Sequence, residues 1–205
     1  MTTIAEMLAF IRGQARVTST DEETVLINAI NEAFLRLCRK SVIPYPGLKT
    51  SASITTITNT QNYDLPANFD RLLDDGIRYD TGNAQWPEGR LVNIVYGDSA
   101  NIWEAMGRSF WPGAVTIVAG STPGRKAIRF LPYFTDTPRT ATVGYVKRPT
   151  TYTTGSDVLE VPELAEAVCL ESMRTEKVYS RDPVFFEYLT RNAKEARWGA
   201  EATLR

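Results

Sequence analysis

The texture of the chain changes twice along its length. Apolar residues recur at helical spacing before about residue 50 and after about residue 160. The stretch between holds short β-branched runs punctuated by Gly and Pro. This order constrains the fold because an amphipathic helix must bury its apolar stripe, and stripes at one end of the chain find counterparts at the other. The expected class is α+β. N- and C-terminal helices, at residues 1–49 and 161–205, form an antiparallel helical bundle, and a central β-rich, sandwich-like domain is inserted at residues 50–160. A composition of 43% hydrophobic and 23% charged residues over 205 positions suits a globular chain and excludes a disordered or collagen-like one.

At the N-terminal end, Thr3-Ile-Ala-Glu6 reads as a capping box, in which hydroxyl and carboxylate satisfy each other's backbone N–H. Ile4, Leu8 and Ile11 then share one face, with Gly13 near the helix end. Thr20-Asp-Glu-Glu23 is a second box, whose acidic first turn suits the positive end of a helix dipole. Leu26, Ile30, Ala33 and Leu37 continue as a stripe flanked by Ile27, Phe34 and Cys38, and Arg36, Arg39 and Lys40 complement the helix C-terminus. Pro44-Tyr-Pro-Gly47 stops the helix.

Near the other end, Pro162 suits a first helical turn, where its missing N–H costs nothing. Leu164, Ala167, Val168, Leu170 and Met173 give a broad apolar face, with Arg174, Lys177 and Arg181 opposite. Asp182-Pro183 restarts a helix carrying Phe185, Phe186, Leu189, Ala193 and Ala196. Arg191, Lys194 and Arg197 recur every three residues beside Glu187 and Glu195, a solvated charged face on its own. Trp198, close to the terminus, suits packing back or docking on a partner.

In the middle, residues 53–58, 114–119, 126–131 and 140–147 have the β-branched, apolar character of strands, and residues 98–106 suit one short helix. Three of the four tryptophans fall here. Large aromatics in short strands build the core of a small sandwich. Gly120-Ser-Thr-Pro-Gly124-Arg-Lys126 is spaced wrongly for a phosphate loop and precedes a strand, so it reads as a hairpin turn. Asp74-Asp75-Gly76 reads as a solvated turn or strand end, since adjacent residues on a strand point to opposite faces.

Several chemistries are excluded by what is missing. The chain has no histidine, which removes Ser-His-Asp and Cys-His nucleophiles, histidine zinc ligands and an imidazole switch. Its two cysteines, Cys38 and Cys169, cannot make a four-cysteine or CxxC site and read as reduced thiols of a cytosolic product. Lys and Arg number 23 against 24 Asp and Glu, a net charge of -1, and the balance is level in each third of the chain. Tight nucleic-acid binding and electrostatic membrane attachment both call for a basic excess. No apolar run is long enough for a membrane-spanning helix, and the N-terminus lacks the character of a signal peptide. The expectation is a protein without enzymatic activity, cofactor or metal.

The order of elements resembles that of tailed-bacteriophage head-to-tail adaptor proteins, also called head-completion or connector proteins. Tyr63-Asp-Leu-Pro66-Ala-Asn-Phe69 resembles the family's strand-turn, and Ile128-Arg-Phe-Leu-Pro132 its strand ending in proline. Val143-Gly-Tyr145-Val-Lys-Arg-Pro149 resembles the strand that follows, and Asp157 through Pro162-Glu163 the lead into its C-terminal helices. The resemblance implies a helical bundle with an inserted β-domain and a structural role in the virion. It implies a ring, commonly of twelve copies, between the portal protein and a downstream tail or nozzle protein, through which DNA passes without specific binding. The protein would be made in the host cytoplasm and end at the head-tail interface. By position, Arg191, Lys194, Arg197 and Trp198 are the candidate partner-binding residues.

Two other classes compete with this reading. A carbohydrate- or ligand-binding sandwich would use Trp86, Trp103 and Trp111 on one surface with Asn101 and Glu104 nearby. A hydrolase would need a carboxylate pair, such as Glu88 with Asp98 or Asp74 with Asp75.

Overall fold

A computed structural model describes residues 3–15, 23–41, 44–79, 92–96, 100, 113–131, 140–175 and 183–203. The class is α+β, with four helices and two sheets among the described residues. The chain divides into two compact units, Met1–Leu48 with Pro149–Arg205, and Lys49–Arg148.

The first unit contains α1 (Ile4–Ala15), α2 (Glu23–Lys40), α3 (Ala165–Thr175) and α4 (Pro183–Thr203). The capping box at the start of α1 forms as its sequence implies. The Glu6 N–H donates to Thr3 Oγ1 and the Thr3 N–H to Glu6 Oε2, each at 3.3 Å. Ile4, Met7, Leu8 and Ile11 are buried on α1, and Leu26, Ile27, Ile30, Ala33, Phe34 and Leu37 on α2. Each of these side chains except the small Ala33 contributes roughly 1.5–3 kcal/mol relative to an exposed one.

Helix α3 is different in kind. Ala165, Ala167, Val168, Cys169, Leu170, Glu171, Ser172 and Met173 are all buried, so it has no solvated stripe. It packs against α1, α2 and α4. Packed against three other helices, it is buried over most of its surface, and among its described side chains only Glu166 is exposed. The two polar members of this set are satisfied locally. Ser172 Oγ donates to the Cys169 carbonyl at 2.7 Å, and Glu171 accepts a forked pair from Arg174 at 2.6 and 2.7 Å, with Arg36 of α2 at 3.4 Å. Neither Cys38 nor Cys169 is in a disulfide, and burial pushes the Cys169 thiol up to about 12, the opposite of an activated nucleophile.

Residues 149–160, which the sequence reading attached to the β-rich segment, group with the helices. The reason is a set of polar contacts with no signature in strand patterning. Asn31 Nδ2 donates to the Tyr152 carbonyl and its Oδ1 accepts the Tyr152 N–H, both at 2.9 Å. The N–H groups of Ile4 and Ala5, orphaned at the start of α1, donate to the carbonyls of Asp157 and Gly155. Pro162 opens a short 3-10 turn, Pro162–Leu164, that leads into α3, as its position implies.

The second unit holds β1 (Lys49–Thr55), β2 (Asn62–Asp64), β3 (Phe69–Tyr79), β4 (Asn93–Ile94), β5 (Ala114–Ala119), β6 (Lys126–Leu131) and β7 (Thr140–Lys147). One sheet has the order β1-β7-β3, antiparallel throughout; the other runs β2-β6-β5-β4, with only β4 and β5 parallel. Ile54, Ile77, Val143 and Tyr145 from the first sheet and Val115, Ile128 and Phe130 from the second share one core.

Asp74 and Asp75 lie inside β3, where a turn or strand end was expected. The register against β7 jumps between Leu72 and Ile77, so the segment is accommodated as a bulge within a long strand. Gly76 is required there. A Cβ on it would stand 2.4 Å from the Gly144 carbonyl oxygen and 2.7 Å from that of Leu73.

Two outcomes follow from these contacts. Gly76→Ala must push apart two backbones, and we expect a loss of about 1–3 kcal/mol in denaturant unfolding. For Glu171, burial alone raises the carboxyl pKa, but Arg174, Lys40 and Arg36 prevail and hold it below the usual carboxylate range. Its stabilisation is therefore complete above the unfolded carboxylate pKa and is lost as pH falls through the lower, folded value. Glu171→Gln should lower stability at pH 7 by about 2 kcal/mol and flatten the acid limb of the melting profile.

Candidate functional site

Helix α4 presents two contrasting faces. Leu189, Ala193 and Ala200 are buried, in register with the partly buried Ala196 and Arg197. A second stripe runs through Tyr188, Arg191, Glu195 and Trp198, at offsets of three, seven and ten residues, and all four are exposed. Tyr188 is 50% and Trp198 56% accessible, large values for aromatic side chains. Glu187, Tyr188, Arg191, Asn192 and Glu195 line a shallow groove of about 400 Å³ along this stripe.

The four residues expected to bind a partner separate into two groups. Arg191, Lys194 and Trp198 stand on the exposed side, where Arg191 pairs with Glu195 at 3.1 Å and Lys194 Nζ lies over the Trp198 ring, 4.7 Å from its centroid. Arg197 is turned inward. Its guanidinium donates to Glu201 at 2.8 Å and to the Lys40 carbonyl at 3.3 Å, one of the orphaned acceptors ending α2. Glu201 also accepts from the Tyr45 hydroxyl, at 3.3 Å. The side-chain exposures make the distinction plain, 25% for Arg197 and 79% for Arg191. The three-residue recurrence of cations had hidden it, because steps of three drift around a helix of 3.6 residues per turn. Tyr188 carries the same exposed stripe; its spacing to Trp198 was readable in the sequence but overlooked.

In the second unit, the family-like motif at 63–69 is architectural. The Tyr63 hydroxyl accepts the Ile57 N–H at 2.7 Å and faces the carbonyls of Ile57 and Thr60 at 3.1 and 3.0 Å. It thus closes a turn in which Asn59 adopts a left-handed conformation, φ 62°. The Asp64 carboxylate accepts from the Ser121 N–H and hydroxyl, which hold its pKa below the ordinary value. Leu65 and Phe69 enter the core, and Asn68 accepts from the Tyr145 hydroxyl at 3.0 Å. Ser121 belongs to the β5–β6 connection, which is the expected hairpin, with Gly124 at φ +79°. Ile128, Phe130, Val143 and Tyr145, from the other two strand motifs, are core residues as well.

Trp86, Trp103, Trp111, Asn101, Glu104, Glu88 and Asp98 lie outside the described residues, as do Pro132, Thr20, Lys177 and Arg181. So does the short helix expected at 98–106, apart from Ala100. Among the described residues, no three His, Cys, Asp or Glu side chains gather as a metal site, and no helix is long and apolar enough to cross a membrane.

The helical unit thus displays aromatic and charged groups on the exposed side of α4, and the β unit carries polar clasps around its core. The chain belongs to the SU10 adaptor protein family, whose sequence model matches residues 2–203, and is in that sense a phage adaptor. No curated protein matches it.

Tyr63→Phe keeps the ring and removes the hydroxyl that closes the 57–60 turn. We expect a loss of about 1–2 kcal/mol by denaturant unfolding, with the isolated Ile57 amide exchanging faster with solvent.

Proposed function

We propose that this protein joins head to tail in a tailed-phage virion, docking on the portal protein as a ring and continuing the channel through which DNA leaves. The observation that carries this reading is the adaptor-family match over nearly the whole chain. Helices from both chain ends then act as one antiparallel bundle, with the β unit as its central insert. Each subunit meets its neighbours through two different surfaces, a heterologous contact that closes by rotation, commonly with twelve copies.

Two physical features favour this role. A net charge of -1 suits a conduit, because a strongly basic chain would grip the phosphates it must let pass. The exposed stripe of α4 supplies a docking face, in which Trp198 is the anchor, Lys194 holds its indole, and Arg191 sets charge complementarity at the rim. Arg197 contributes from behind by fixing α4 to the end of α2. The work done is assembly, with the portal on one side and a tail or nozzle protein on the other.

The test is to mix the purified chain with portal rings of the same virus and measure size and stoichiometry by light scattering. A complex of fixed stoichiometry is expected. Trp198→Ala should weaken association about thirtyfold, about 2 kcal/mol, without moving the melting temperature. Failure of the unaltered chain to associate overturns the proposal.

A further inference from the structure

The exposed stripe of α4 is complementary to itself. Tyr188 and Trp198 stand five residues either side of position 193, and Arg191 and Glu195 two residues either side of it. Laid antiparallel against a second copy, with the two-fold axis crossing the stripe at the level of position 193 along the helix, the stripe places Tyr188 opposite the other Trp198. Arg191 then faces the other Glu195, and each contact occurs twice. The offsets of three, seven and ten are those of the alternating core positions of an antiparallel coiled coil, in which such layers meet.

We propose that the free protein pairs with a second copy of itself through this face, in a two-fold antiparallel contact that covers the surface used for docking. The inference rests on the reading of this face as a docking surface, and adds how it is kept before its partner arrives. The cost of switching is small. The Arg191–Glu195 pair within one helix is exposed at both ends, so exchanging it for the same pair between copies loses little. Tyr188 and Trp198 are about 15 Å apart along the axis, so both rings of each copy find apolar cover at once. Lys194 flanks the axis, and its station over the indole of its own helix draws the ammonium away from its symmetry mate.

The contact is necessarily weak. One helix face of three turns buries less than the roughly 1,200 Å² of a stable interface, the size class of transient contacts. Weakness suits the role, because a tight pair would compete with docking, whereas a loose one shields two exposed aromatics and then yields.

Sedimentation equilibrium of the full chain from about 5 to 500 µM reads the pairing directly. The unaltered protein should approach a dimer as concentration rises. Arg191→Glu or Glu195→Arg alone sets like charges opposite each other and should weaken pairing at least tenfold. An equimolar mixture of these two variants restores both cross-pairs and should recover dimer, which a mere folding defect would not. A monomer throughout the range, self-association indifferent to the reversals, or a mixture that fails to recover overturns the inference. Binding of portal rings, measured separately on the unaltered chain, tells this failure apart from failure of the docking role.

Discussion

Burial of α3 over most of its surface is the constraint on which the helical unit depends. Eleven residues long, it is too short to persist alone and has no stripe to show to water. Its neighbours come from both ends of the chain, α1 and α2 from the first fifty residues and α4 from the last. Neither end can complete its core without the other. That long-range closure carries a loop-entropy cost, offset by a densely packed interior around Val168, Cys169 and Met173. The one carboxylate in this shell, Glu171, is tolerated because Arg174 and Arg36 meet it from two helices.

In the β unit an apolar core shared by the two sheets is supplemented by polar clasps. Tyr63, Asp64 and Asn68 each tie the 63–69 segment to a different partner: the turn at 57–60, the hairpin at Ser121, and Tyr145 of β7. A motif that resembles a family signature is here a signature of the fold. These three residues direct these hydrogen bonds within the unit.

Helix α4 has two unlike sides. The inward side carries Leu189, Ala193 and Arg197, and Arg197 closes the end of α2 while pairing with Glu201. The outward side carries Tyr188, Arg191, Glu195 and Trp198. Two arginines six residues apart thus face different surroundings, Arg197 turned toward the end of α2 and Arg191 exposed beside Glu195. Six residues is 600° of helix, which leaves them on different sides.

The sequence alone determined the elements whose signals are local. The capping box at Thr3 and Glu6, the proline entry at Pro162, the hairpin at 120–125, and three of the strands at their full extents depend only on neighbouring residues. It also determined the near-neutral charge and the want of histidine, hence the classes of chemistry set aside at the outset. Tertiary structure alone decided that Arg197 faces inward, that residues 149–160 belong with the helices, and that Asp74 and Asp75 sit within a bulged strand. Each of these turns on a contact between residues distant in the chain, Arg197 with Lys40, Asn31 with Tyr152, Gly76 with Gly144. Patterns of hydrophobicity report how a residue relates to its own helix or strand, and they carry no information on which distant backbone will be waiting there.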